Sequence, residues 1–194
     1  MTAGPGGGRH GVYPGTFNPP TVAHIEIART ALAHHRLDRL DLAVSRLPFD
    51  KEHVERPLLS HRLEVLEAVA GAIPGLGVVV TDARLIADIA HGYDLVVMGA
   101  DKWAQLHDVT YYDDEAHRDA ALARLPEVTV APRPPDPVPP DRRLPVPDWV
   151  AEISSSAVRE GAAHGWMASQ AAAFDARTGA WSDPPRYEAW LRDG

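Results

Sequence analysis

Short apolar segments of strand length alternate along this chain with longer segments whose apolar residues recur at helical spacing. The strand-like segments are residues 10–13, 41–45, 77–80, 94–98 and 128–131. Helices are predicted over 22–35, 58–70, 82–91 and 113–125, and a final helix near Ser155. Strands that alternate with helices pair in parallel through right-handed crossovers. We therefore predict an α/β fold: a doubly wound parallel sheet of about five strands with helices on both faces.

The segment 11–24 joins the end of the first predicted strand to the start of the first helix through a turn rich in Gly and Pro. Thr21 and His24 stand three residues apart in the first turn of that helix. Backbone N–H groups at a helix start lack partners within the helix, and a phosphate binds readily there. We interpret this segment as a phosphate-binding site, with a small hydroxyl donor and an imidazole beside the anion.

A second segment of similar character, 153–159, reads Ile-Ser-Ser-Ser-Ala-Val-Arg. Serine hydroxyls and backbone N–H groups at a helix start can cradle an anion, and Arg159 adds a forked donor. Both segments, together with Lys51 and the triplet 99–101, follow strands or begin helices. In parallel sheets ligands bind at the carboxyl ends of the strands, so we expect these groups to converge on one edge.

The two segments resemble the signature sequences of the T/HxGH nucleotidyltransferases. Residues 15–24 resemble GxFxPxTxGH, with Ala23 in place of Gly, and 153–159 resemble ISSTxIR, with Ser156 and Val158 as mild changes. The resemblance covers residues 10–160 and implies a Rossmann-like sheet. It also implies an adenylyltransferase that moves AMP from ATP to a phosphorylated small-molecule acceptor. Mg²⁺ is implied as well, because it neutralises the triphosphate and the leaving pyrophosphate.

The resemblance also assigns roles to single residues. Negative charge grows on the α-phosphoryl oxygens during transfer, so positioned donors do most of the work. The predicted catalytic residues are His24, Thr21, Lys51 and Arg159. The predicted ATP and phosphate contacts are Gly15, Thr16, Phe17, Asn18, His24, Gly99, Asp101, Ser154, Ser155, Ser156 and Arg159. The predicted acceptor contacts are Trp103, Tyr111, Tyr112 and Arg133. No metal ligands are expected from the protein alone.

The motifs leave the acceptor open. Gly99-Ala100-Asp101 and the strand and turn over 128–134 resemble nicotinate-mononucleotide adenylyltransferase, which implies a role in NAD biosynthesis with nicotinate or nicotinamide mononucleotide as acceptor. That family stacks its pyridine ring on a Trp beyond the Asp, but here Trp103 comes too early and Tyr111 slightly late. Residues 13–17 and 154–160 resemble phosphopantetheine adenylyltransferase instead. A third hypothesis, a nucleotide-binding protein without turnover, draws on Ala23 and the unusual C-terminal tail.

The length and composition suit one domain with flanking segments. The chain has 194 residues, 45% of them hydrophobic, enough for a proper core. We predict a flexible leader over 1–9, a nucleotidyltransferase domain over 10–165 and an aromatic-rich tail over 166–194. That tail packs on the domain or on a partner subunit, which leaves room for a homo-oligomer. The leader lacks the apolar centre of a signal peptide, and no apolar run approaches the ~18 residues of a membrane span. A cytoplasmic location is the simple expectation.

The charge and the cysteine count exclude other classes of partner. A net charge of −8 argues against nucleic acid, since such binding depends on basic patches. Without cysteine the chain has neither a disulfide framework nor a thiolate zinc site. Its ten histidines show no convincing metal-ligand spacing. A nucleotide pocket needs only a few local cations, so the acidic balance is compatible with ATP.

Overall fold

The computed structural model describes residues 7–46, 56–161 and 164–193. All five predicted strands form, close to their predicted bounds, and they pair in parallel in the order β3-β2-β1-β4-β5. They are β1 (His10–Pro14), β2 (Arg39–Ser45), β3 (Leu76–Thr81), β4 (Leu95–Gly99) and β5 (Glu127–Ala131). The predicted α/β fold, a Rossmann-like parallel sheet, is confirmed.

Helices connect the strands and continue beyond the sheet. The helices of the described residues are α1 (Val22–His34), α2 (Leu59–Gly71), α3 (Ile86–Ile89), α4 (Ala100–His107), α5 (Glu115–Ala123), α6 (Ser155–Arg159), α7 (Ser169–Thr178) and α8 (Pro184–Asp193). None of them is long and apolar enough to cross a membrane.

The prediction of a helix over 82–91 was wrong at its start, because the helix begins only at Ile86. Side chains hold the preceding residues outside the helix: Ser45 Oγ donates to the Ala83 carbonyl at 2.7 Å, and Ala83 N donates to Thr81 Oγ1 at 3.1 Å. The helix near Ser155 forms but is not the last one, since two tail helices follow it. These exceptions leave the sheet order untouched.

Alternation along the strands gives the sheet two apolar faces. On one face, Leu42 and Val97 belong to a buried cluster with the apolar side of α1. On the other face, Ala43 and Val96 belong to a cluster that includes Ile86 of α3 and Leu106 of α4. Helices therefore cover both faces of the sheet, as predicted.

The residues of the predicted tail pack on α2. A third apolar cluster joins Val65 and Val69 of α2 to Phe174 of α7, to Trp181 and to Tyr187 of α8. The Tyr187 hydroxyl accepts a hydrogen bond from Leu58 N at 3.0 Å and lies 2.6 Å from His61 Nδ1. Aromatic side chains of the tail thus extend the hydrophobic interior of the sheet domain.

Candidate active site

The site lies where the order of the sheet reverses. The chain runs from β1 through β2 to β3 on one side, and β4 and β5 lie on the other side of β1. Such switch points in parallel sheets form a crevice at the carboxyl ends of the strands. A cavity of about 310 Å³ opens there, within the size range of small-molecule pockets.

Most of the predicted site residues line this one cavity. Those that do are Gly15, Thr16, Phe17, His24, Gly99, Asp101, Arg133, Ser154, Ser155, Ser156 and Arg159. They come from segments up to 144 residues apart in the chain, from Gly15 to Arg159. The carboxyl ends of β1, β4 and β5 and the start of α6 thus meet at one edge.

The His24 ring is held by Thr21 in a single orientation. Thr21 caps α1: its hydroxyl accepts from His24 N at 3.4 Å and lies 2.8 Å from His24 Nδ1. Thr21 N also donates to His24 Nδ1 at 3.0 Å. A backbone N–H can only donate, so Nδ1 is an acceptor and the neutral ring carries its proton on Nε2. The imidazole is therefore an N–H donor at the cavity wall.

Burial lowers the pKa of His24 to about 4, and the positive charge of Arg133 adds to this, while Asp101 acts in the opposite direction. Near pH 7 the ring is therefore neutral.

This lowered pKa makes the stability of the protein depend on pH. Between pH 4 and 6.5 an unfolded His binds a proton that folded His24 does not, so stability rises with pH across this window. We expect unfolding free energy to fall by on the order of 1–2 kcal/mol from His24 alone between pH 6.5 and 5. Urea titrations of wild type and His24→Asn at both pH values measure the contribution of His24 to the unfolding free energy. An equal pH dependence in the two proteins contradicts it.

The turn before α1 is shaped by close packing of Phe17. A Cβ at Gly15 would come within 2.8 Å of the Phe17 ring, so this position requires glycine. The Phe17 ring is buried and contacts Tyr13 edge-on at 5.3 Å and His24 edge-on at 5.2 Å between centroids. The aromatic ring thus joins the end of β1 to the side of the imidazole.

The serine-rich segment lies against the same turn. Ser154 caps α6 by accepting from Ala157 N at 3.0 Å, and Ser155 Oγ donates to the Pro19 carbonyl at 2.7 Å. The Arg159 guanidinium donates to the Asn18 carbonyl and, at 3.3 Å, to Ser156 Oγ. These bonds hold the two predicted phosphate segments in contact while Arg159 still lines the cavity.

The cavity is positively charged although the whole chain is acidic. Asp101 is the one carboxylate among the described residues that line it. The cationic residues that line it are Arg84, Lys102, Arg133 and Arg159. Sequence reasoning missed Arg84 and Lys102, although each follows the carboxyl end of a strand and the same rule would have found them. A surplus of cations suits a ligand that carries several phosphates.

Three predicted acceptor residues lie away from the cavity. Trp103 packs against the buried cluster on the α3–α4 face of the sheet, with its ring 4.4 Å from that of His107 and 5.0 Å from the Arg142 guanidinium. Tyr112 donates to the Leu106 carbonyl at 3.1 Å. Neither these two nor Tyr111 lines the cavity, whereas Arg133 does.

Two further predicted residues support the wall from behind. Thr21 is fully buried and contacts His24 without lining the cavity. Asn18 is also buried, and both polar ends of its side chain bond to protein groups. Lys51 lies outside the described residues.

The donor set fits a Mg²⁺ ion that arrives with the phosphates of the substrate. In the part of the chain that the structure describes, no group of three or more His, Cys, Asp or Glu side chains could hold a metal. Mg²⁺ commonly keeps its waters and binds one or two carboxylates plus substrate phosphates. Asp101 is the one carboxylate among the described residues that line the cavity, so the phosphates and water would supply most of the ligands of such an ion.

Known proteins with similar sequences also point to nucleotidyl transfer. The chain matches the cytidylyltransferase-like family over residues 12–161, which contain residues 15–24 and 153–159. It is 30% identical over 138 residues, 63% of this chain and 67% of the other, to a protein of Bordetella avium (strain 197N) named probable nicotinate-nucleotide adenylyltransferase. Family membership favours an enzyme over a nucleotide-binding protein without turnover. The chain belongs to the cytidylyltransferase-like family and is a nucleotidyltransferase.

Proposed function

We propose that the protein transfers AMP from ATP to the phosphate of nicotinate or nicotinamide mononucleotide, giving the dinucleotide and pyrophosphate in NAD biosynthesis. The observation that carries the proposal is the neutral His24, held by Thr21 at the wall of a cavity whose described lining has four cationic side chains and one carboxylate. The name of the Bordetella avium relative supports the choice of acceptor.

The proposed reaction needs donors more than a base. A phosphate oxygen of the acceptor attacks the α-phosphorus of ATP, and the bond to the β-phosphate oxygen breaks as pyrophosphate leaves with the electron pair. The acceptor oxygen is already anionic at pH 7, so no side chain has to remove a proton. His24 Nε2–H donates to the α-phosphoryl oxygens, where charge grows. Arg159 and Arg133 neutralise the triphosphate and the acceptor phosphate.

Asp101 and the metal have separate proposed roles. The Asp101 carboxylate accepts hydrogen bonds from the hydroxyls of the ATP ribose. Mg²⁺, held by the ATP phosphates, supplies further neutralisation of the triphosphate charge when bound. Lys51 stays a predicted phosphate contact.

One observation favours a second acceptor, phosphopantetheine. Trp103, Tyr111 and Tyr112 all lie away from the cavity, so the loop after Asp101 offers no ring to stack on a pyridine. An acceptor without an aromatic ring does not need one. The Tyr13-Pro14-Gly15 opening supports the same alternative.

A panel of acceptors tests the proposal directly. Purified protein is incubated with Mg²⁺ and either ATP or CTP, plus nicotinate mononucleotide, nicotinamide mononucleotide or phosphopantetheine. Pyrophosphate release and product mass are measured, with His24→Ala protein from the same preparation as the control for contaminating activity. We expect dinucleotide with ATP and a pyridine mononucleotide, at least about 10-fold faster in kcat/KM than with phosphopantetheine. Dephosphocoenzyme A as the main product overturns the proposed acceptor, and a preference for CTP overturns the proposed donor.

A further inference from the structure

Asn18, in the turn before α1, is held by three separate parts of the chain. Trp181 Nε1, from the tail, donates to Asn18 Oδ1 at 2.6 Å, and both residues are buried. Asn18 Nδ2 donates to the Arg56 carbonyl at 3.3 Å, and the Arg159 guanidinium donates to the Asn18 carbonyl. The bond between Trp181 and Asn18 is buried, so it is costly to lose, because the freed polar groups find no water.

The residue before Asn18 has a backbone that needs such support. Phe17 has a φ of +45°, in the left-handed region that residues other than glycine rarely adopt. A conformation of this kind persists only where the surroundings determine it. The Phe17 ring contacts His24 edge-on at 5.2 Å, so a shift of the Phe17 backbone would move the side of the imidazole.

The tail that carries Trp181 is itself fixed. Trp181 N donates to the buried Asp175 carboxylate at 2.7 Å, which also accepts from Ser182 N at 3.0 Å. A second bond joins the tail to the turn, since Ala168 N donates to the Pro20 carbonyl at 2.9 Å. The tail therefore makes hydrogen bonds to two residues of the turn, Asn18 and Pro20.

We propose that Trp181 is a positioning residue for nucleotidyl transfer: its indole N–H fixes Asn18, and through Asn18 and Phe17 it fixes His24 at the cavity wall. Trp181 itself does not line the cavity. It also lies outside the segment matched to the cytidylyltransferase-like family, which ends at residue 161. The tail therefore completes the active site from outside the family segment.

Trp181→Phe tests the proposal, with Trp190→Phe as the matched control. Trp190 lies in the same aromatic cluster, stacked on Tyr187 at 6.0 Å, and makes no hydrogen bond to the described residues of the turn. We expect Trp181→Phe to lower kcat about 10-fold with KM for ATP changed less than about 2-fold, at a temperature where circular dichroism shows it folded. Trp190→Phe should keep kcat within about 2-fold of wild type. An unchanged kcat in folded Trp181→Phe overturns the proposal.

A double-mutant cycle with Asn18→Ala separates positioning from general destabilisation. If Trp181 acts through Asn18, Trp181→Phe should lower kcat by less than about 2-fold further in the Asn18→Ala background. Additive losses overturn the proposal. If Trp181→Phe does not fold, benzothienylalanine at position 181 keeps the ring shape and removes only the N–H donor; the same loss of kcat is then expected, and an unchanged kcat counts against the proposal.

A measurement that needs no acceptor distinguishes the positioning role from the proposed substrate. Side-chain nitrogen NMR of His24 at pH 7 should show the Nε2–H tautomer in wild type and in Trp190→Phe. Trp181→Phe should show a mixture of the two tautomers as the ring loosens. If no acceptor in the panel is used but this shift occurs, the proposed substrate fails and the positioning role stands. An unchanged tautomer overturns the positioning role whichever acceptor is used.

Discussion

Replacing His24 with alanine should lower kcat for pyrophosphate release by about 100- to 1000-fold, the usual cost of removing one donor from a developing oxyanion. KM for ATP should change far less, because the cationic side chains that bind the triphosphate remain. The ring is neutral at pH 7 and its Nδ1 accepts from Thr21 N at 3.0 Å, so the Nε2–H donor is the group that the substitution removes. Initial rates under saturating ATP, together with circular dichroism of the variant, measure the effect.

Thr21→Val is the matched control for His24→Ala. It removes the hydroxyl that lies 2.8 Å from His24 Nδ1 and keeps both the backbone N–H donor and the side-chain volume. Losing one of two bonds should loosen the ring without removing it, so we expect a loss in kcat of about 10-fold. A Thr21→Val loss as large as that of His24→Ala would mean that the backbone N–H bond alone does not hold the ring. A kcat for His24→Ala within 2-fold of wild type would contradict the proposed catalytic role of His24.

The sheet was predictable because its strands have the strongest local signal. β4 is buried on both faces and reads as a continuous apolar run bounded by Tyr93-Asp94 and Gly99. The start of α3 was not predictable, since the hydrogen bond from Ser45 to the Ala83 carbonyl joins residues from two different strand ends. Periodicity describes neighbours in sequence and carries no information on such tertiary bonds.

The sequence predicted where the candidate site lies, but not the hydrogen bonds that hold the turn before α1 in place. The rule that parallel strands place their carboxyl ends at one edge brought His24, Asp101 and Arg159 to one cavity. The same rule could not show that Asn18 turns its side chain away to Trp181, which lies 163 residues further along the chain. The segment 15–24 therefore includes a residue, Asn18, whose side-chain polar atoms bond to the protein interior and not to the cavity.

Replacing Arg159 with alanine should have the second large effect on catalysis. Its guanidinium donates to the Asn18 carbonyl and to Ser156 Oγ while it lines the cavity, so it both supports the turn and presents charge to the phosphates. Arg159→Ala should lower kcat/KM for ATP by about 100-fold, the loss of one or two charge-assisted hydrogen bonds. Arg29→Ala, which removes an exposed arginine on α1, should leave kcat/KM within about 2-fold of wild type.

Arg159→Lys distinguishes charge from geometry. Lysine keeps the positive charge but lacks the planar fork, so it cannot donate to the Asn18 carbonyl and to a phosphate in fixed directions at once. We expect it to recover less than about a tenth of the activity lost in Arg159→Ala. Full recovery by lysine would mean that Arg159 acts as a point charge, and the contact between α6 and the turn would then be structural only. Steady-state kinetics with ATP varied at saturating acceptor, on all three variants, decide between the two.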